Sequence, residues 1–471
     1  MSDSSDPRRW RALLVLSAAQ LVLMLDMSVV NVALAPVQHD LHFSPTGLAW
    51  IIDAYALPFG GLLLLAGRVA DLIGRKRTFL GGLACFALSS ALGGLAQTPA
   101  LLIVARCVQG ASAAFVAPSA LALLSLLFPH PRERATAFSV WGGLRGAGVT
   151  LGVVLSGALV GLLSWRWLFF LNVPVAAALL LLAWRLLDES RIPGESRRLD
   201  VAGAVLVTSG FTLIAFGLLR TAGSSWAAPM TILALALGLL LTLLFIVVEA
   251  HDEHPLVPLP FFSSPRRSIG NLSLALFSAG LAVLFFSLPL YLQNVLGYSV
   301  LRTGLAFLPV GPTFIVMAYL SPFVIRRLGE RITMGAGLSI VTVSFLLLSR
   351  LSVDASYLAT VLPSLILFPL GGAMVVTAGT IAGISGTDAK NAGLAGGVNN
   401  VAQQMGMALG LAALVSLGSA RSRALLARGI THSQALTSGF ALSFSVTAIA
   451  VLVMAIYVFG RSATGAEHGR S

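Results

Sequence analysis

Ionisable side chains inside long apolar runs are the residues of this chain best placed to do chemistry, because a charge held in hydrocarbon is costly and rare. Four stand in such runs: Asp26, Asp53, Arg106 and Arg145. Desolvation favours the protonated form of a buried carboxyl, and a nearby cation favours the ionised form. A carboxyl balanced between the two can be loaded and unloaded by a proton gradient. At 1.5 Å per residue, Asp26, Arg106 and Asp53 lie roughly 15, 10 and 8 Å from the same-side ends of their runs. They share a level, and an Asp26–Arg106 contact would offset part of the desolvation cost of both. The alternatives are that Asp26 is a permanent strut for Arg106 and that Asp53 simply faces an outer vestibule. Arg145 shares a helical face with Gly148 and Gly152, at i+3 and i+7. It reads either as a contact for an anionic or carbonyl-bearing substrate or as the partner of a carboxylate or backbone carbonyl.

Uncharged groups extend the set. Asn400, Gln403 and Gln404, at i, i+3 and i+4, form a polar stripe that must face a cavity or another helix rather than lipid. Phe285, Phe286, Tyr291 and Gln293 suit a lipophilic ligand, and the amides Asn31 and Gln109 join them as substrate-binding candidates. Gly67, Asp71, Gly74, Arg75 and Lys76, followed by Arg77, combine a tight turn, one acid and a cationic cluster. An acid that caps a helix N-terminus in one conformation and loses that contact in another would act as a switch. Glycines at 142, 146, 148, 152, 157 and 161 allow a close helix approach in lipid.

The elements that carry these residues follow from composition. Of 471 residues, 57% are hydrophobic and 10% charged, which is too apolar to be covered by a wetted surface. Apolar runs are expected to span the membrane at about 12–35, 48–66, 78–96, 100–127, 136–163, 167–187, 201–219, 230–249, 269–292, 304–325, 333–349, 356–383, 392–418 and 437–459. The expected fold is thus an all-α polytopic membrane protein of fourteen transmembrane helices. Its first run is too long for a signal peptide, contains Asp26, and has Pro36 after the apparent cleavage site, so it reads as an uncleaved helix.

The net charge of +12 is mainly a topological signal. With the N-terminus inside, 21 of the 30 basic residues fall in inner segments, 7 in outer ones, and Arg106 and Arg145 in spans. Both termini are then cytoplasmic in a cell membrane. Arg421, Arg423 and Arg428 run against that rule. Long inner connections at 188–200 and 250–268 divide the chain into a six-helix bundle (1–190), a central pair (191–265) and a second six-helix bundle (266–471). "AGRVADLIGRKRTFLGGL" has an echo in "SPFVIRRLGERITMGAGL", supporting paired halves with a site between them at the midplane.

No GxxxxGK[ST] phosphate loop occurs, and the histidines fall in loops or tails. His251, Asp252, Glu253 and His254 look like metal ligands by composition but sit in a linker. An enzyme or a nucleotide-driven pump is not expected, nor a metal, a nucleic-acid partner or a disulfide between Cys85 and Cys107. No cofactor is expected: a proton gradient would be the energy source. The expected partners are protons, membrane lipid and a lipophilic small molecule, neutral, monocationic or amphoteric, bound by a monomer.

These residues resemble the major facilitator superfamily, and more closely its fourteen-helix drug:proton antiporter branch. "LDMSVVNVAL" looks like that branch's first-helix motif, which implies proton coupling at Asp26. "GRVADLIGRKR" resembles the superfamily's loop motif, which implies gating by Gly67, Asp71, Gly74, Arg75 and Lys76. "LLIVARCVQGASAA" resembles the fourth-helix motif, which implies that Arg106 assists proton transfer. "SWRWLFFLNVPV" and "GLAGGVNNVAQQMGMALG" are further resemblances. "GVTLGVVLSG" keeps Gly148, Gly152 and Gly157 of the fifth-helix antiporter motif, but has Val153 in place of proline and Ser156 in place of glycine. The resemblance implies a major facilitator fold in a 6 + 2 + 6 arrangement and a proton-coupled exporter of drugs or other lipophilic compounds. A dedicated metabolite or self-made antibiotic exporter is the alternative.

Overall fold

Apolar runs punctuated by proline and glycine fold as a sequence of helices, because only helices satisfy the backbone of every run internally in lipid. The computed structural model describes residues 7–465 apart from 45, 192–199, 222, 253–254, 258 and 388–391, with backbone alone for parts of α5 and the end of α16. The first helices are α1 (Pro7–Leu41), α2 (Trp50–Ile73), α3 (Arg75–Gly94), α4 (Pro99–Leu127), α5 (Pro131–Leu162), α6 (Trp167–Phe170) and α7 (Asn172–Leu186). A pair follows, α8 (Val201–Thr221) and α9 (Pro229–His251). The remainder are α10 (Pro265–Asn294), α11 (Val300–Ala306), α12 (Val310–Leu328), α13 (Glu330–Leu348), α14 (Leu362–Gly383), α15 (Ala392–Leu426) and α16 (His432–Gly465).

Local chemistry sets the boundaries. Thr98 caps α4, its side chain accepting from Leu101 N at 3.3 Å, with Pro99 just inside the helix. The internal echo is structural as well: Gly74 (φ 127°) ends α2 and Gly329 (φ 81°) ends α12, each at the same place in the repeated string.

The expectation of fourteen spans is corrected. Among the described residues, twelve helical stretches are long and apolar enough to cross a membrane, and neither the expected span at 78–96 nor that at 136–163 is among them. The first of these belongs to α3, which opens on Arg75, Lys76 and Arg77 and is diluted by Gly81, Gly82, Ser89, Ser90, Gly93 and Gly94. Of α5, whose side chains are described only in part, Gly152–Leu162 is the apolar stretch among the described residues. The 6 + 2 + 6 count of transmembrane helices falls with it, while the all-α polytopic architecture holds.

In the first group α1 packs on α5, α7 and α4, α4 on α2 and α3, and α3 on α7, while α10, α12, α13, α14, α15 and α16 form the second group. The groups meet through α1–α10, α2–α15 and α5–α11, while α8 rests on α2 and α15 and carries α9. At the end of the molecule marked by Asp40, the two groups share one apolar core: Val29, Val30 and Leu34 of α1 join Phe285, Phe286 and Leu290 of α10. Towards the end marked by Asp71, the first group keeps a core of its own, including Leu16, Phe79 and Leu124.

Candidate functional site

Asp26 sits in the middle of α1 and Arg106 in the second turn of α4, and the structure brings them together. Arg106 Nη1 donates to Asp26 Oδ2 at 2.5 Å, with both side chains 2% exposed. Three further side chains complete the cluster. Gln109, one turn along α4, accepts from Arg106 Nη1 at 2.9 Å and donates to Asp26 Oδ1 at 2.9 Å. Asn172, at the start of α7, donates to Asp26 Oδ1 at 2.8 Å. Ser90 of α3 accepts from both amides at 3.1 Å and donates to Phe169 O at 2.9 Å.

Arg106 is fixed from α2 as well: its Nε donates to Ile51 O at 3.1 Å, and its guanidinium lies 4.5 Å from the Tyr55 ring centroid. Gly110 explains how α2 comes so near. A β-carbon there would collide with the Tyr55 backbone, so only glycine admits this crossing. The carboxylate therefore accepts three hydrogen bonds in a site closed to water, the condition under which a buried pair is most sensitive to losing one partner.

Gln109 thus bridges the pair, and is not placed as a free substrate contact. Ser90 and Asn172 were not singled out from sequence. Asn172 had a usable signal, as an amide inside the apolar string "LFFLNVPV"; Ser90 had none, since serines occur throughout the spans. Asn31 bonds to its own helix, donating to Met27 O at 3.2 Å and Ser28 O at 3.1 Å.

Asp53 does not face a vestibule. It is fully buried, and neither carboxylate oxygen has a hydrogen-bond partner among the described residues. Its helical face is shared by Trp50, which meets Phe216 of α8, and by Gly60 and Gly61, which abut Gln404 of α15 and Thr208 of α8. Asp53 accordingly lies on the side of α2 turned to α8 and α15, away from Arg106.

At the α2–α3 turn, Asp71 pairs with Arg75, at 2.8 Å to Nε and 2.7 Å to Nη2. Gly74 makes the turn, and Gly67 sits 3.9 Å from Pro118 when given a β-carbon. The acid that caps α3 is Glu189, from the segment after α7, not Asp71. Its carboxylate accepts from Lys76 N and Arg77 N, both at 3.1 Å. Lys76 Nζ donates to Trp184 O at 2.8 Å and Arg75 N to Ser190 O at 2.9 Å, so α3 is tied to the end of α7. At the opposite end, Asp40 accepts from Trp165 Nε1 at 2.9 Å and from Arg166, which also donates to Ala96 O at 2.9 Å. This clamp accounts for the "SWR" string.

In α5, Gly148 and Gly152 lie against Met24 and Ser28 of α1, and Gly157 meets Gly304 of α11, its β-carbon position 3.2 Å from the Gly304 Cα. Val153 and Ser156, the departures from the motif, are buried at this crossing. The Arg145 side chain lies outside the described residues, as do Glu253 and His254 of the linker. The remaining substrate candidates are committed to packing. Phe285 and Phe286 are buried, Phe285 with its ring 5.3 Å from Phe307. Tyr291 donates to Ser352 O at 2.6 Å, and Gln293 donates across the two groups to Val32 O at 3.0 Å. Asn400 and Gln403 donate to Gly396 O and Asn399 O of their own helix, and Gln404 is buried beside Gly60.

Two helical groups meeting at a few glycine-lined crossings, with a buried ion pair between helices of one group, define a polytopic secondary transporter. The chain belongs to the major facilitator superfamily, whose description matches residues 16–411. It is 40% identical over 456 residues to the puromycin resistance protein of Streptomyces alboniger, covering 95% of this chain and 90% of that one. It is 37% identical to the cephamycin export protein of Amycolatopsis lactamdurans (96% and 93%) and 34% identical to the tetracenomycin C resistance and export protein of Streptomyces glaucescens (88% and 77%). A solved bacterial homologue of the human lysosomal transporter Spinster shares the fold, with a TM-score of 0.68 at 16% identity over 97% of this chain and 96% of that one.

Proposed function

We propose that this transporter exports antibiotic-like lipophilic small molecules from the cell in exchange for protons, by alternating access. The carrying observation is the buried cluster of Asp26, Arg106, Gln109, Asn172 and Ser90. With Asp26 ionised, the cluster draws α1, α3, α4 and α7 together. A proton on Asp26 removes the charge that holds Arg106, and the freed guanidinium repartners as the two groups rock. Asp53, buried with no hydrogen-bond partner among the described residues, is the second proton-coupling candidate. The Asp71–Arg75 pair and the Glu189 cap gate the end taken to be cytoplasmic, where basic residues concentrate.

A membrane potential of 100 mV supplies about 2.3 kcal/mol per charge moved, enough for a gradient of about 50-fold. The names of the relatives above support an antibiotic as cargo, and each names one compound. A dedicated exporter of one such compound is the second reading. Proteoliposome export of puromycin, a cephamycin and tetracenomycin C, with and without a protonophore, tests both. Proton-driven export is expected to stop with the protonophore. Export of one compound alone would mark a dedicated carrier, and undiminished export in the protonophore would refute proton coupling.

A further inference from the structure

A groove of about 670 Å³ runs between α2, α3 and α4 on the side of α4 opposite Arg106. Its walls are apolar, with Val69 and Ile73 from α2 and Val108 and Phe115 from α4; its floor at Gly81 has no side chain. The few polar groups in the lining are already engaged within the protein: Ser112 donates to Val108 O at 2.6 Å and Thr78 to Gly74 O at 2.8 Å. No acidic residue lines the groove, and its one charge, Arg77, stands at the Asp71 end with its Nε 3.6 Å from Glu189 and its side chain 74% exposed. Beside the groove, Leu88 of α3 and Val104 of α4 are exposed apolar side chains, so in a membrane its open side faces lipid.

We propose that this groove holds one acyl chain of an anionic glycerophospholipid from the bilayer leaflet at the Asp71 end, with the phosphate set against Arg77. Shape and charge both point to that occupant. An apolar channel without free hydrogen-bonding groups suits a hydrocarbon chain and would leave a polar solute unsatisfied. From Arg77 to Cys85, along α3, the wall runs ~12 Å inward from the charge, the direction a lipid tail takes from its headgroup. The lipid would buttress the helix carrying Arg106 from behind, linking membrane composition to the buried cluster. The site lies apart from the proton-coupling residues, so it stands or falls independently of the transport assignment.

The test uses the full-length protein in nanodiscs of equal phosphatidylglycerol and phosphatidylcholine, with retained phospholipid counted by native mass spectrometry. Wild type is expected to retain phosphatidylglycerol preferentially. Gly81→Phe fills the groove where an added β-carbon meets nothing within 4 Å, and is expected to abolish retention. Arg77→Ala is expected to keep the lipid but lower the preference for phosphatidylglycerol about fivefold. Equal retention by wild type and Gly81→Phe, or no headgroup preference in wild type, overturns the proposal. Should Gly81→Phe not fold, the native thiol Cys107, in the groove wall, supplies the second reading. In a Cys85→Ser background its modification by N-ethylmaleimide should be slower in phosphatidylglycerol than in phosphatidylcholine discs, with that difference reduced in Arg77→Ala; equal rates in the two discs overturn the proposal.

Discussion

Asp26 accepts hydrogen bonds from Arg106, Gln109 and Asn172, so three side chains lose a partner whenever its charge is removed. The converse loss is the more damaging to folding. Arg106→Ala leaves a carboxylate buried with two amides for company, and should destabilise the protein by about 3–5 kcal/mol. Adding Asp26→Asn removes the stranded charge and should recover a substantial part of that loss, a coupling readable as a double-mutant cycle of melting in detergent. Simple additivity would mean that the pair is not the unit described here. The pair itself was legible because a charge in an apolar run is conspicuous. Ser90 and Glu189 were not, because a hydroxyl or a loop acid acquires its role only from what the fold places beside it. For the substrate candidates Tyr291 and Gln293 the same holds: their donors meet Ser352 O and Val32 O, partners that no local spacing announces.

At the level of elements, the turn between α2 and α3 is where sequence and structure diverge most usefully. The motif's acid, Asp71, does not cap the following helix; it holds Arg75, while Glu189 reaches from beyond α7 to cap α3. The gate thus includes a residue more than 100 positions away, and no local spacing announces it. Glu189→Ala should free the first turn of α3 at a cost of about 0.5–2 kcal/mol, visible as faster amide exchange at Lys76 and Arg77. Unchanged exchange there would remove Glu189 from the gate. The Gly157–Gly304 approach shows why the missing proline in α5 does not prevent a tight crossing: small residues alone bring α5 and α11 together.

For the whole molecule, hydropathy located nearly every helix, because runs of apolar residues near twenty long have few alternatives in lipid. The count failed at α3, where glycine, serine and the opening charges thin the apolar content below that of a free-standing span. The arginines that broke the charge rule also gain a physical setting. Helix α15 extends to Leu426, so Arg421, Arg423 and Arg428 sit exposed on or just past its last turns, where cations suit the helix dipole. Single cysteines placed in a background lacking Cys85 and Cys107 check the orientation in intact cells. Arg428→Cys should react with an impermeant maleimide and Arg77→Cys should not; the reverse pattern would invert the molecule.

The most direct measurement concerns the proton. Purified protein in liposomes loaded with a pH-sensitive dye, given candidate antibiotics, should show substrate-dependent proton movement in the wild type. It should show none in Asp26→Asn, with insertion and the amount of protein unchanged. Gradient-driven export retained by Asp26→Asn would contradict the assignment of Asp26 as the proton carrier.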